Sequence, residues 1–275
     1  MKTDEIKNHW TDWATTHGEH LNATTKTPTI KALEIDVFVR TICRLVETKE
    51  AHFKALEVGC GNGANCMALA QLFPNASIDG VDYVAEMVES AKTASAKWGY
   101  GDTLRFFTGN VLDLSATVEL HDVYDIVLTD RCLINLNTVA LQKEALRSVA
   151  KRIKTGGHLI MIENSIRTYN EQNNCRELLG LEARTPASYN LFFDEREILP
   201  HLDTCGLQLL DIEDFGSLHD LLLYVLIPST NGGTVDYAHP LVEAATALSK
   251  AKSQTTPGAF GRFGQNRMYV CRQNA

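Results

Sequence analysis

Two patterns of apolar residues alternate along this chain from residue 30 onwards. Five short apolar runs have the length of buried strands, at residues 54–58, 77–81, 104–108, 124–129 and 159–162. The segments between them carry apolar side chains at helical spacing, as residues 30–46 already do. Strands that alternate with helices in this way predict an α/β domain built on a largely parallel sheet.

The second half of the chain continues this alternation but interrupts it with two long segments. Further elements are predicted as helices at 195–205 and 240–252 and as strands at 207–213 and 267–272. Asp194 precedes the first of these helices and suits its N-cap. The apolar stretch 218–227 fits either a buried helix or a buried strand. The interrupting segments are 165–193 and 228–266, and insertions of this kind often cap an active site.

Size and charge narrow the class of protein. The 275 residues, 44% of them hydrophobic, suffice for one large domain with added caps. The formal charge of −8 argues against a nucleic-acid-binding surface, which usually needs a basic patch. Seven cysteines without Cys-x-x-Cys spacing fit reduced thiols in a cytoplasmic protein. The polar N-terminus lacks the apolar centre of a signal peptide, and no run of about 18 apolar residues predicts a membrane span.

A glycine-rich turn follows the first predicted strand. Gly59, Gly61 and Gly63 occur at alternate positions, and an amphipathic helix begins directly behind them. Glycine lets the backbone turn sharply out of a sheet and lets a ligand lie against bare main chain. The free N–H groups at the start of the helix then face that ligand. The spacing Gly59-x-Gly61-x-x-Ala64 by itself also fits a dinucleotide site.

Two acidic residues make the interpretation of this turn more specific. Glu57 completes the pattern Glu-x-Gly-x-Gly-x-Gly, which resembles the first motif of class I S-adenosylmethionine (SAM) dependent methyltransferases. Asp82 ends the second predicted strand, where that family has an acidic residue that binds the ribose hydroxyls of the cofactor. A carboxylate suits two adjacent O–H donors. The resemblance covers about residues 50–215, and it implies SAM as the cofactor and S-adenosylhomocysteine as a product.

The resemblance also implies the fold and its division. The expected fold is a doubly wound, Rossmann-like, seven-stranded and mostly parallel sheet that closes with an antiparallel C-terminal hairpin. Residues 1–48 would form an N-terminal helical lid and the first core helix, and residues 49–275 the methyltransferase domain with both cap insertions. Trp10 and Trp13 in the first segment need burial. They belong either to a lid over the cofactor or to a helix on the back of the domain.

Further cofactor contacts follow from the same resemblance. Asn110 and Val111 come after the third strand, where the family has a polar residue for the adenine amino group and an apolar neighbour for the ring. Tyr83 follows Asp82 and either lies along the adenosine or packs against its helix. The predicted cofactor-binding set is Glu57, Gly59, Cys60, Gly61, Gly63, Asp82, Tyr83, Asn110, Val111 and Thr129.

The predicted chemistry is an in-line displacement at the methyl group of a sulfonium. The protein must align the reacting atoms and exclude water, and a hydroxyl nucleophile also needs a base. Candidate bases are Glu163, ranked first by its position at a strand end, then Asp130 and His219, with His17 also possible. Candidate substrate-binding residues are Trp13, Arg131, Arg167, Tyr169, Asn190 and Arg262.

A divalent metal is a weaker alternative. Asp130, Glu163 and Asn164 together resemble the oxygen ligands of catechol-type O-methyltransferases, and a hard cation prefers such ligands. Glutamate replaces the aspartate that this pattern expects, and the flanking sequence does not match. We therefore predict that no metal is bound.

The leading hypothesis is a SAM-dependent methyltransferase that modifies a small polar acceptor at oxygen, such as a sugar, a glycan or a secondary metabolite. N-methylation of a small molecule is the first alternative. An NAD-dependent oxidoreductase and a non-catalytic SAM-binding module are two others. No nucleic-acid or membrane partner is expected, and the protein would be a monomer or a homodimer.

Overall fold

A seven-stranded sheet forms the centre of the protein in the computed structural model, which describes residues 3–25 and 27–274. The strands are β1 (Lys54–Val58), β2 (Ser77–Asp82), β3 (Leu104–Thr108), β4 (Tyr124–Asp130), β5 (Ile153–Asn164), β6 (Leu207–Glu213) and β7 (Asn266–Gln273). Their order across the sheet is β3-β2-β1-β4-β5-β7-β6. Strands β1 to β5 pair in parallel, whereas β7 lies antiparallel between β5 and β6.

The predicted fold class is confirmed by this strand order and its antiparallel finish. The order reverses between β1 and β4, and in open α/β sheets ligands bind beyond the carboxyl ends of the strands at such a switch point. The segment 228–266 separates the two strands of the C-terminal pair in sequence, but not in the sheet.

Ten α-helices surround the sheet within the described residues. They are α1 (Thr3–His17), α2 (Pro28–Val46), α3 (Ala64–Leu72), α4 (Ala85–Trp98), α5 (Val139–Ala150), α6 (Ile166–Leu178), α7 (Glu195–Thr204), α8 (Ser217–Leu221), α9 (Ile227–Thr230) and α10 (Pro240–Ser253). A single π-helical turn, Leu222–Leu226, joins α8 to α9. The stretch 218–227 is therefore helical. Asp194 caps α7 as predicted, because its side chain accepts a hydrogen bond from the Arg196 N–H.

The sheet is covered on both faces, as the apolar character of its strands requires. Helices α2, α3 and α4 pack on one face, with Phe38, Ile42 and Leu69 fully buried there. Helices α5 and α7 pack on the other face around Leu146 and Leu202. Residues at the carboxyl ends of β1, β2 and β4, namely Val58, Asp82 and Asp130, line a cavity.

One predicted boundary is wrong. The sequence predicts the fifth strand over residues 159–162, but β5 begins at Ile153, which pairs with Tyr124. The pairing of β4 with β5 shifts register between Tyr124 and Ile126, opposite the segment of β5 that contains Gly156 and Gly157. A Cβ at Gly157 would lie 2.8 Å from the carbonyl oxygen of Asp125, so the strands can approach only because this residue is glycine.

Among the helices of residues 3–25 and 27–274, none has both the length and the apolar character needed to cross a bilayer.

Candidate active site

A cavity of about 400 Å³ lies beyond the carboxyl ends of β1, β2 and β4. Its size is in the range of small-molecule sites, roughly 300–1,000 Å³. The glycine turn and the loops after β2 and β3 form one end. The loop after β4, both cap insertions and α1 form the other end.

The glycine turn presents bare backbone because larger residues do not fit there. Gly59 and Gly61 have φ values of 74° and 54°, in the left-handed region that favours glycine. A Cβ at Gly59 would lie 2.6 Å from Cys132 Sγ, and a Cβ at Gly61 would lie 2.6 Å from Thr24 Cγ2. The main chain of the turn is thus held close to the loop after β4 and to the N-terminal segment.

Asp82 is fixed beside this turn by main-chain hydrogen bonds. Its carboxylate accepts hydrogen bonds from the N–H of Gly61 at 2.8 Å and from the N–H of Val84 at 2.9 Å. Burial raises the pKa of Asp82, and these N–H groups oppose that shift. Each carboxylate oxygen keeps a lone pair that can accept a hydrogen bond from a ligand.

Asn65 links two buried carboxylates at the bottom of the cavity. Its Nδ2 donates to Glu57 Oε1 at 2.7 Å and to Asp130 Oδ2 at 2.9 Å. Burial raises the pKa of Glu57 to about 7. Burial acts in the same direction on Asp130, but the charges of Lys31 and Arg131 outweigh it and lower the pKa of Asp130 to about 2.

Asp130 and three other charged side chains form a buried network. Lys31 Nζ lies 2.5 Å from Asp130 Oδ2 and 2.8 Å from Glu34 Oε2. Arg131 Nε lies 3.0 Å from Glu34 Oε1, which also accepts a hydrogen bond from Asn266 Nδ2 at 2.7 Å. Arg131 has a φ of 53°. A non-glycine residue in that region is strained, and such strain is concentrated at functional sites.

Three buried oxygen atoms of cavity-lining residues have no hydrogen-bond partner within the described part of the chain. They are the Oδ1 atoms of Asn62, Asn65 and Asp130. A buried acceptor without a partner costs about 1–3 kcal/mol. A ligand that brings N–H or O–H donors to this end of the cavity would remove that cost.

Helix α1 lies over the cavity and not on the back of the domain. His9 stacks on Tyr189 with ring centroids 4.2 Å apart, and Trp10 Nε1 donates to Asn135 Oδ1 at 3.1 Å. Trp13 Nε1 donates to the carbonyl oxygen of Asn22 at 2.8 Å. These aromatic side chains line the cavity, so α1 separates it from solvent.

Most of the predicted site residues come together in this cavity. Those that line it are Glu57, Gly59, Cys60, Gly61, Asp82, Tyr83, Asn110, Val111, Trp13, Asp130, Arg131 and Asn190. Tyr83 is 41% exposed, with the Lys7 ammonium 4.3 Å from its ring centroid. The contacts of these residues with a cofactor or an acceptor remain predictions.

Two residues of the predicted cofactor set lie outside the lining. Gly63 is the N-cap of α3, and a Cβ there would lie 2.7 Å from the ring of Phe106, on the core side. Thr129 is fully buried, and its hydroxyl donates to Glu163 Oε1 at 3.1 Å. Their positions are structural.

Glu163 ranks first as the base by its position in the sequence, but the structure does not place it at the cavity. Its carboxylate accepts hydrogen bonds from the N–H groups of Leu133 at 3.1 Å and Ile134 at 3.2 Å. Burial raises the pKa of Glu163 to about 8. Successive strand residues point to opposite faces, so the next residue, Asn164, lines the cavity while Glu163 holds the loop after β4.

The two histidine candidates also lie away from the lining. His219 is fully buried between Thr29 Oγ1, 2.9 Å from its Nε2, and Asp220 Oδ1, 2.8 Å from its Nδ1. His17 packs beside Trp13 with ring centroids 5.1 Å apart. His219 thus reaches the cavity only through Asp220, which does line it.

Three predicted substrate residues also lie outside the cavity lining. Arg167 faces solvent on α6 and pairs with Glu171 at 2.9 Å. Tyr169 is buried against Phe192, behind the cavity wall. Arg262 is exposed in the loop before β7. The spacing of these three residues in the sequence does not indicate whether their side chains face the cavity, the core or solvent.

Several cavity residues escaped the sequence prediction. The most important are Lys31, Asn65, Asp220 and Gln265. Lys31 and Glu34 did give a signal, because they interrupt the apolar face of α2 and lie three residues apart, so their side chains meet.

No group of three or more His, Cys, Asp or Glu side chains within residues 3–25 and 27–274 is arranged to hold a metal ion. The carboxylates of Asp130 and Glu163 have separate partners and do not converge.

The chain resembles known methyltransferases in sequence. A family model described as "Methyltransferase domain" matches residues 49–198. The release factor glutamine methyltransferase of Thermosynechococcus vestitus is 41% identical over 58 residues, which are 21% of this chain and 20% of that protein. The malonyl-[acyl-carrier protein] O-methyltransferase of Bacillus cytotoxicus is 28% identical over 130 residues, 47% of this chain and 42% of that protein. The chain thus matches less than half the length of either relative.

Solved structures share the fold over nearly the whole chain. A SAM-dependent methyltransferase from Clostridium acetobutylicum superposes with a TM-score of 0.57 at 14% identity, covering 98% of this chain and 100% of that one. The CcbJ methyltransferase from Streptomyces caelestis superposes with a TM-score of 0.57 at 14% identity, covering 89% of this chain and 90% of that one.

Proposed function

The chain belongs to the methyltransferase-domain family, whose cofactor is SAM, and on that premise we propose that it transfers the methyl group of SAM to a small polar acceptor. The observation that carries the proposal is the arrangement of the cavity. Bare main chain at Gly59 and Gly61 lies beside the fixed carboxylate of Asp82, and the space continues into a polar compartment beyond β4.

The residues at the glycine end suit the parts of the cofactor. Asp82 would accept hydrogen bonds from the ribose hydroxyls, and Asn110 with Val111 would contact the adenine. The partnerless oxygen of Asn65 would accept a hydrogen bond from the ammonium group of the cofactor. When bound, SAM supplies an electrophilic methyl group.

The chain's own residues then position the acceptor and exclude water. Trp10 and the other aromatic side chains of α1 close the compartment, so that competing hydrolysis is suppressed. Asp130 Oδ1 would receive a hydrogen bond from the O–H or N–H of the acceptor and so orient its lone pair. We favour an oxygen acceptor, such as a sugar, a glycan or a secondary metabolite, because amide and carboxylate side chains dominate the polar part of the compartment.

A nitrogen acceptor is the second candidate. The low pKa of Asp130, about 2, makes this carboxylate a weak base at neutral pH. A nitrogen nucleophile in its neutral form carries its lone pair and then needs only an exit for its proton. Faster release of S-adenosylhomocysteine with amine than with hydroxyl acceptors would favour nitrogen over oxygen.

The proposal is tested first by binding and then by turnover. Isothermal titration should show SAM and S-adenosylhomocysteine binding to the full chain, with no binding of NADH. Release of S-adenosylhomocysteine is then measured over a panel of hydroxyl and amine acceptors. Failure to bind SAM at millimolar concentration rejects the function, and binding without turnover on any acceptor supports the non-catalytic module instead.

We further propose that the protein works in the cytoplasm as a monomer or a homodimer. The seven cysteines are all free within the described residues, which fits a reducing compartment. Alkylation with and without reductant tests the state of these thiols.

A further inference from the structure

We propose that the acceptor is a polyhydroxylated ring, and that Asp220, Tyr224 and Gln265 bind its neighbouring hydroxyl groups. These three residues, called the polar wall below, line the cavity at the end away from the glycine turn. This acceptor class rests on the proposed methyl transfer and makes it more specific.

Tyr224 lines the cavity and lies in an unusual piece of backbone. It is the central residue of the π-helical turn Leu222–Leu226. Such turns are rare and occur mostly at functional sites, since they leave main-chain groups that need other partners. Arg176 Nη1 meets that need by donating to the Tyr224 carbonyl oxygen at 2.5 Å. The Tyr224 hydroxyl has no hydrogen-bond partner within residues 3–25 and 27–274, so it is available to a ligand as donor and acceptor.

Asp220 contributes a fixed acceptor to the polar wall. It is only 2% exposed, and its Oδ2 accepts hydrogen bonds from the Gln265 N–H at 2.6 Å and from Gln172 Nε2 at 3.3 Å. Its Oδ1 lies 2.8 Å from His219 Nδ1. A carboxylate offers about four acceptor positions, and three are occupied here. One position remains for a hydroxyl of a ligand.

Gln265 contributes a donor. Its Oε1 accepts a hydrogen bond from Arg184 Nη2 at 2.9 Å, which leaves the NH₂ group of the amide for a ligand. The polar wall therefore presents a hydrogen-bond acceptor at Asp220, a hydroxyl that can donate and accept at Tyr224, and a donor at Gln265. Hydroxyl groups are themselves both donors and acceptors, so adjacent hydroxyls on a ring can satisfy all three. An ammonium group has no acceptor to offer to Gln265.

Arg184 holds the polar wall from behind. Its guanidinium carbon lies 3.5 Å from the ring centroid of Tyr224, and its Nη1 donates to Gln172 Oε1 at 3.0 Å. The same side chain thus contacts Tyr224 and Gln265 directly and reaches Asp220 through Gln172. We assign Arg184 as a positioning residue, because a rigid supporting contact preserves the geometry that binding needs.

The opposite side of the compartment suits the remaining surface of such a ring. Trp10 and Tyr189 line the cavity there, with ring centroids 5.6 Å apart in an edge-to-face pair. Aromatic side chains provide a large apolar surface. The C–H face of a sugar ring or a cyclitol is apolar, whereas its hydroxyls extend from the rim towards the polar wall.

Saturation-transfer NMR with a panel of simple compounds tests the acceptor class. The full chain, saturated with S-adenosylhomocysteine, is mixed with the methyl glycosides of glucose, galactose, mannose and rhamnose and with myo-inositol. Tyramine and anisole form the comparison set. We expect saturation transfer to at least one polyol. This transfer should fall roughly three- to tenfold in Tyr224→Phe and in Asp220→Asn, as the loss of one hydrogen bond implies. Arg262→Gln changes an exposed position outside the cavity and is the control, which should leave the saturation transfer unchanged.

The outcomes separate this inference from the proposed function. If the unmodified protein does not bind S-adenosylhomocysteine, the proposed function itself is rejected. Three results would overturn the acceptor class alone, provided that the cofactor binds normally. They are no saturation transfer to any polyol, transfer only to tyramine or anisole, and equal transfer in all variants. Unchanged cofactor affinity in each variant shows that it is folded.

A double-mutant cycle tests the role assigned to Arg184. Arg184→Gln should weaken polyol binding, and Arg184→Lys should restore part of it. The effect of Arg184→Gln should shrink when Tyr224 is already phenylalanine, because the arginine packs on the Tyr224 ring and so positions the hydroxyl that the variant lacks. Strictly additive effects would overturn the positioning role.

Discussion

Replacement of Lys31 by methionine tests the buried charge network most directly. The substitution keeps the length of the side chain but leaves Asp130 and Glu34 facing each other without the ammonium that lies within 2.8 Å of both. All three side chains are at most 6% exposed, so solvent cannot replace the lost charge. Removing one partner of a buried ion pair costs about 3–5 kcal/mol. With a urea slope of about 3 kcal/mol/M, the unfolding midpoint should fall by roughly 1–2 M.

The loss should depend on pH in a defined direction. In the unmodified protein the pKa of Asp130 is depressed from 3.8 to about 2, so its stabilisation is present above pH 3.8 and is lost as the pH falls through 2. Without Lys31, burial dominates and raises the pKa values of Asp130 and Glu34. Proton uptake then removes the unpaired charge. The destabilisation of Lys31→Met should therefore be largest near pH 8 and smaller near pH 5.

Urea unfolding followed by circular dichroism at pH 8, 7 and 5 measures both effects. Lys92→Met is the matched control, because Lys92 pairs with Glu89 at 2.9 Å on α4 with both side chains more than half exposed. Such a surface pair contributes about 0–1 kcal/mol. The reasoning is refuted if the two variants lose equal stability, or if the deficit of Lys31→Met does not change with pH.

Three further predictions concern the cavity. Asp82→Asn should weaken S-adenosylhomocysteine binding by about 1.5–3 kcal/mol through loss of charged hydrogen bonds, while Asp102→Asn on the surface should not; equal affinities would remove Asp82 from the site. Gly61→Ala should abolish cofactor binding. Gly99 also has a positive φ but open space around it, so Gly99→Ala should only lower the stability of the fold. Retained cofactor binding in Gly61→Ala would contradict the assignment of the turn. Glu163→Gln should keep turnover within about threefold, and a loss above a hundredfold would restore Glu163 as the base.

The local pattern of the chain was enough to predict an α/β domain on a largely parallel sheet and the glycine turn beside Asp82, whereas the antiparallel finish was implied by the family resemblance. Apolar periodicity and turn chemistry act over a few residues, so five strands, the glycine turn and the position of Asp82 at a strand end could be read directly. The positive φ values of Gly59 and Gly61 are properties of the turn itself.

Only the tertiary structure decided which polar side chains line the cavity. Glu163 and Asn164 are neighbours in sequence, yet the pleat of β5 turns one towards the loop after β4 and the other towards the cavity. Lys31 meets Asp130 across 99 residues. The π-helical turn that carries Tyr224 accepts a hydrogen bond from Arg176, which lies 48 residues away in the chain. Contacts of this range are fixed by how the layers pack, and no periodicity along the chain encodes them.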